Sequence, residues 1–168
     1  MVIPGFVISM LTFPGVIVHE LGHKFFCDLF GVRVHEAKYF RLGNPAGYVV
    51  HDIPNEFKKT FFIDIGPFIV NTAVALLIFS AARLFSLQGL LGSFLLWLGI
   101  SVGMHAFPSS HDAKVLWAES KKHLSRGDFS AVIGFPFAIF IFIANILSIV
   151  WFDLIYALVL FALVSLVI

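Results

Sequence analysis

Val16-Ile17-Val18-His19-Glu20-Leu21-Gly22-His23-Lys24-Phe25-Phe26 sets two histidines and a glutamate inside an apolar run. On a helix, residues four apart share one face about 6 Å apart along the axis, so His19 and His23 can offer two imidazoles to one zinc ion. Glu20, about 100° round the helix, is left beside the ion and is free to act as a base on its water.

The surroundings of this motif are those of a membrane protein. The 168 residues are 60% hydrophobic and 12% charged, with a mean hydropathy of +0.98, far too apolar for a soluble domain of this size. A net charge of +1 offers no basic face for phosphate backbones, which excludes nucleic acid as a partner. The partner that this composition implies is the lipid bilayer. The single Cys27 rules out an internal disulfide.

Working outward, residues 2–30 read as a first span with the motif in its C-terminal half. Its start resembles a signal peptide but lacks a basic leader region and a small-residue cleavage site, so it is read as uncleaved. From Gly31 to Thr60 charged and turn residues take over, and Gly47-Tyr48-Val49-Val50 within them predicts a small β-hairpin. A second span covers 61–84 and carries Asp64 and Asn71, polar groups that face other helices or a wet cavity in such a segment, and Gly66-Pro67, read as permitting close packing and a local kink. Asp64, near the end of the span, is read as wet. A third span runs from Leu90 through Met104 and closes by Phe107. The segment Ser109–Asp128 is polar, with a helix over Asp112–Leu124, and residues 114–128 are its polar helix and loop beyond the core.

Residues 129–168 are apolar for about 40 residues, near 60 Å if helical and twice the hydrocarbon thickness. That makes one or two further spans, two being favoured, with a break near Trp151-Phe152-Asp153. The fold class is therefore all-α and polytopic, with about five transmembrane helices, a three-helix core in residues 1–113 and a small β-hairpin after the first span.

Basic residues set the orientation. Arg33, Lys38, Arg41, Lys58 and Lys59 follow the first span, and Lys114, Lys121, Lys122 and Arg126 follow the third, while only Arg83 lies near the intervening turn. Both basic loops face the cytoplasm on this reading, with the N-terminus outside. The motif and the residues after the third span then lie toward the same cytoplasmic face.

A catalytic zinc needs a third protein ligand and an open fourth position. Cys27 lies on the same helix face, but about 12 Å along the axis from His19, too far for one ion to bind both. The candidates are Asp112 and His111 in His105-Ala106-Phe107-Pro108-Ser109-Ser110-His111-Asp112. Ser109-x-x-Asp112 is also a capping box at the start of the polar helix. Asn71 and His105 are candidates for contacting substrate or the oxyanion, Asn71 having an interhelical hydrogen bond as its alternative use.

His19-Glu20-Leu21-Gly22-His23 in a first span, Gly66-Pro67-x-x-x-Asn71 in a second, and Pro108 followed by Asp112 after a third resemble the site-2 protease family of intramembrane zinc metalloproteases. The resemblance covers Val2 to Ala113. It implies that His19 and His23 bind zinc, that Glu20 is the general base, that Asp112 is the third ligand, that the substrate is a membrane protein with a transmembrane segment and that the hairpin helps hold it in extended form. His105 stands where the family has Asn and Ala113 where it has Gly. The Pro108 to Asp112 spacing is one residue shorter, which keeps His111 open as the alternative ligand. Two other classes compete: a catalytically inactive relative acting as a membrane-segment scaffold or chaperone, for which Glu20 has no purpose, and a metal transporter, which needs more ionisable groups along its spans than the last 40 residues offer with the polar Asn145 and the charged Asp153.

Overall fold

The computed structural model describes residues 5–167. In chain order the elements are α1 (Gly5–Leu11), α2 (Phe13–Leu29), β1 (Val34–Lys38), β2 (Tyr48–His51), α3 (Phe57–Ala82), α4 (Leu90–Met104), α5 (Ser110–Leu124), α6 (Gly134–Leu147) and α7 (Phe152–Val167), with short 3-10 segments at Phe129–Ile133 and Ser148–Val150. The fold is mostly helical, with one two-stranded antiparallel sheet.

The first span is bent where a continuous helix was expected. α1 and α2 meet at 91° across Thr12. Pro14, in the first turn of α2, has no N–H, so the carbonyl of Met10 four residues earlier loses its helical donor and the helix breaks. The expected start at Val2 and the expected end of the last span at Ile168 lie outside the described residues.

The count of about five spans is also corrected. Two segments, Phe57–Ala82 and Phe129–Val150, are long and apolar enough to cross a membrane, or three if the bent α1–α2 pair is one span. α4 and α7 have 15 and 16 residues, roughly 22 to 24 Å of helix against a hydrocarbon core of about 30 Å. Hydropathy sees their composition and overstates their reach.

The last 40 residues break at Trp151, which takes a left-handed conformation at φ 63°, but they do not turn back as two antiparallel spans would. Phe61 meets Phe137, Phe68 meets Phe140, Thr72 meets Tyr156 and Phe79 meets Phe161. The order rises along both chains, so α6 and α7 advance in the same direction beside α3. α4 and α5 run the other way, since Gly99 packs on Phe79, Asn71 reaches His105 and Phe57 reaches His123. The interruptions at Thr12, at His105–Ser109 and at Ser148–Trp151 consequently gather near the middle of α3.

Three apolar clusters hold this arrangement. Ala75, Phe79, Val102, Leu160 and Val164 join α3, α4 and α7; Phe57, Leu116, Ala131, Ala138 and Ile141 join α3, α5 and α6; Phe26, Cys27 and Ile63 join α2 and α3. The last contact is close: a Cβ on Gly22 would lie 2.9 Å from the Cα of Pro67, so only glycine lets these two helices meet here. β1 pairs with β2 from Val34 opposite His51 to Lys38 opposite Tyr48, which realises the expected hairpin. On it, His35 Nε2 donates to Asp52 Oδ1 at 2.7 Å and holds that carboxyl below the usual carboxylate range.

Candidate metal centre

Among the described residues, one group of histidine, cysteine, aspartate or glutamate side chains can share a metal ion: His19, His23 and Asp112, whose ligand atoms all lie within 4.8 Å of one another. α2 contributes the first two from one face, and the two rings sit 5.1 Å apart. Asp112 arrives from the first turn of α5, with its Oδ2 3.8 Å from His23 Nε2. Ligand atoms around a tetrahedral zinc stand about 3.4 Å apart, so small side-chain rotations close the group around an ion.

Both imidazoles are turned the right way by their outer nitrogens. His19 Nδ1 lies 2.8 Å from the carbonyl oxygen of His105, and His23 Nδ1 lies 2.9 Å from that of Ile63. A carbonyl only accepts, so each Nδ1 carries the hydrogen and each neutral ring is left with its lone pair on Nε2. Such outer partners fix the tautomer and orientation of metal-binding histidines.

Each of these carbonyls is available because a helix is interrupted. Pro67 stands four residues after Ile63 inside α3 and has no N–H to offer it. The carbonyl of His105, the C-cap of α4, lies beyond the last helical donor. In Pro67→Ala, an amide hydrogen would compete with His23 for the Ile63 oxygen. Metal affinity is expected to fall about 10- to 100-fold while helical content is kept, as read by competition with a chromophoric chelator; an unchanged affinity would dismiss this role for Pro67.

The capping and ligand readings of Asp112 are compatible. Ser109 caps α5, its N–H and Oγ–H donating to Asp112 Oδ2 at 2.6 and 2.7 Å, while Asp112 N–H donates to Ser109 Oγ at 3.3 Å. The box fixes the carboxylate next to His23. His111 is exposed and stands outside the group. Cys27 is fully buried among Phe26 and Ile63.

Glu20 is buried at 7% exposure and lies against the root of the hairpin. A Cβ on Gly47, the residue before β2, would come within 2.7 Å of Glu20 Cγ and 2.9 Å of its Oε1. The bare backbone there is what lets the hairpin close over this carboxylate.

The two oxyanion candidates have their donors engaged. Asn71 is fully buried, and its Nδ2 faces the carbonyls of Gly15, Val102 and His105 at 3.2, 3.0 and 3.1 Å. It ties α2, α3 and α4 together and bears on the same His105 oxygen that holds His19. The His105 ring turns to Thr12 Oγ1 at 2.8 Å, across the α1–α2 bend. Asp64, expected to be wet, is 3% exposed and its Oδ2 has no hydrogen-bond partner. The role of Pro67 was missed by the sequence reading, although a proline four residues after Ile63 was a visible signal.

Comparison with family models, with curated proteins and with solved structures finds no match to this chain.

Proposed function

We propose that this chain is an intramembrane zinc metallopeptidase that hydrolyses a peptide bond in or near a transmembrane segment of another membrane protein. The observation that carries the reading is the convergence of two imidazoles, both with Nδ1–H held by carbonyls, and one carboxylate within 4.8 Å, with a buried glutamate next in chain to the first of them. Three ionisable groups inside an apolar fold are individually expensive, and a shared divalent cation offsets that cost.

His19, His23 and Asp112 would hold the ion. Zinc, when bound there, supplies Lewis-acid polarisation of a carbonyl and brings the pKa of water toward neutrality. Glu20 takes a proton from the attacking water and delivers it to the leaving amine nitrogen. The backbone of Gly47 against Glu20 holds that carboxylate in place and keeps bulk water from it. A substrate helix must unwind before its amide is open to attack, because its carbonyls are otherwise occupied. β2 is paired on one side by β1 and begins one residue after Gly47, so an extended segment added to its free edge would regain backbone hydrogen bonds beside Glu20. The basic residues around the hairpin and α5 favour a site open to the cytoplasmic side.

The test is cleavage of a model transmembrane substrate in liposomes, with metal content measured in parallel. The expected result is about one zinc per chain, loss of cleavage on chelation and recovery on adding zinc back. Stoichiometric zinc with no cleavage across a broad panel of substrates would replace the peptidase with a membrane-segment scaffold.

A further inference from the structure

A cavity of about 300 Å³ opens where the three helix breaks meet. Its polar wall is made by Ser9 of α1, His105 at the α4–α5 break, and Asn145, Ser148 and Asp153 around the α6–α7 break. Asp153 is the single charged residue in the apolar stretch 129–168. A lone carboxylate in so apolar a stretch is costly and needs a partner, yet no Lys or Arg of the described residues borders the cavity.

The hydrogens of this wall are already committed elsewhere. Ser9 Oγ donates to the Gly5 carbonyl at 3.2 Å, Asn145 Nδ2 donates to the carbonyls of Pro108 and Ile141 at 2.9 and 2.8 Å, and Ser148 Oγ donates to the Asn145 carbonyl at 2.7 Å. Thr12 gives its one hydroxyl hydrogen to the Ile8 carbonyl at 2.7 Å, so at 2.8 Å it accepts from His105 Nε2. Asp153 accepts one bond, from the Leu154 N–H at 3.0 Å, and a carboxylate has about four acceptor positions. What is left on every one of these five side chains is acceptor capacity alone.

An all-acceptor wall with one negative charge repels anions and matches a group that only donates. An ammonium has three donors and no acceptor. A guanidinium brings its donors in one rigid plane that suits a bidentate carboxylate, whereas the acceptors here are spread over α1 and the α6–α7 break. Among the described residues the group of side chains that can share a metal ion is His19, His23 and Asp112, and none of them lines this cavity. We propose that the cavity binds a primary ammonium group, with Asp153 as its counter-ion and Ser148 and Asn145 as neutral acceptors. The cavity lies near the middle of α3, a candidate membrane span, rather than at its ends where lipid head groups sit, so the ammonium is that of a lysine side chain of a peptide. The inference is independent of the metal centre.

The probe is carbon-13-labelled methylammonium, titrated by NMR into the folded chain in nanodiscs. Saturable binding is expected, weakened about tenfold or more in Asp153→Asn and about two- to tenfold in Ser148→Ala. Tetramethylammonium, with the same charge and no N–H, is expected to leave the probe bound. Exchanging phosphatidylcholine for phosphatidylethanolamine tests the other source: competition with the probe would assign the site to a lipid head group and overturn the peptide reading. No saturable binding to wild type of normal helicity by circular dichroism would overturn the proposal, as would equal displacement by tetramethylammonium or sodium. Should Asp153→Asn not fold, unchanged affinity in Ser148→Ala overturns it alone.

Discussion

Glu20→Gln is expected to keep its metal and to lose peptide-bond cleavage by a factor of about 10² to 10⁴. Gln has the shape of Glu, so it fills the same space beneath Gly47, where a Cβ would already lie 2.7 Å from the side chain. It removes one capacity only, that of accepting a proton from water and returning it to the leaving amine. The metal ligands are untouched, because Glu20 stands outside the group formed by His19, His23 and Asp112. Zinc content and the single-turnover cleavage rate are the two measurements. Retained zinc with a rate within tenfold of wild type would remove Glu20 from the chemistry; loss of zinc would make it part of the site's scaffold. Glu20→Asp separates basicity from reach, since it keeps the carboxylate and withdraws it by one methylene, and it too should be slow.

The parts of this site that were legible in the sequence are those set by local periodicity. His19, Glu20 and His23 lie within two turns of one helix, and four-residue spacing alone puts the two imidazoles on one face. Asp112 was legible as a chemical type in a plausible place, but its capping and metal-binding readings looked like rivals. They are compatible because the cap occupies the carboxylate from the Ser109 side and leaves it facing His23. For Asn71 the sequence showed a buried amide in need of partners; only three-dimensional proximity reveals that its partners are carbonyls of α2 and α4. Direction was the least legible property. Hydropathy measures how much apolar chain exists, and it reads the same whether α7 turns back along α6 or carries on past Trp151.

Breaks in helices give this molecule its polar interior. An unbroken apolar helix satisfies its own backbone and has nothing to offer a histidine. Pro67 frees the Ile63 carbonyl and the end of α4 frees that of His105, and each then orients one imidazole. The bend at Thr12 and the step at Trp151 bring further polar groups to the same level of α3. The irregular residues of the chain, its prolines and helix ends, are therefore as much part of the candidate metal centre as the three side chains that could hold an ion.

The third ligand is decided by three variants. Asp112→Asn retains an oxygen that can accept from the Ser109 N–H and so keeps the start of α5, but it removes the negative charge from the ion. Metal affinity is expected to fall by more than the about 10- to 100-fold typical of outer-sphere changes, because a direct ligand is weakened. Ser109→Ala does the reverse, losing the cap and about 0.5–2 kcal/mol of stability while leaving the carboxylate in place, with affinity reduced by no more than about tenfold. His111→Ala should change neither quantity, since that ring is exposed and outside the group. Zinc competition against a chelator and thermal unfolding of the apo chain measure the two properties separately. If His111→Ala empties the site while Asp112→Asn remains filled, the ligand assignment passes to His111, and α5 must then turn by about 100°, one residue's step, from the position it holds here.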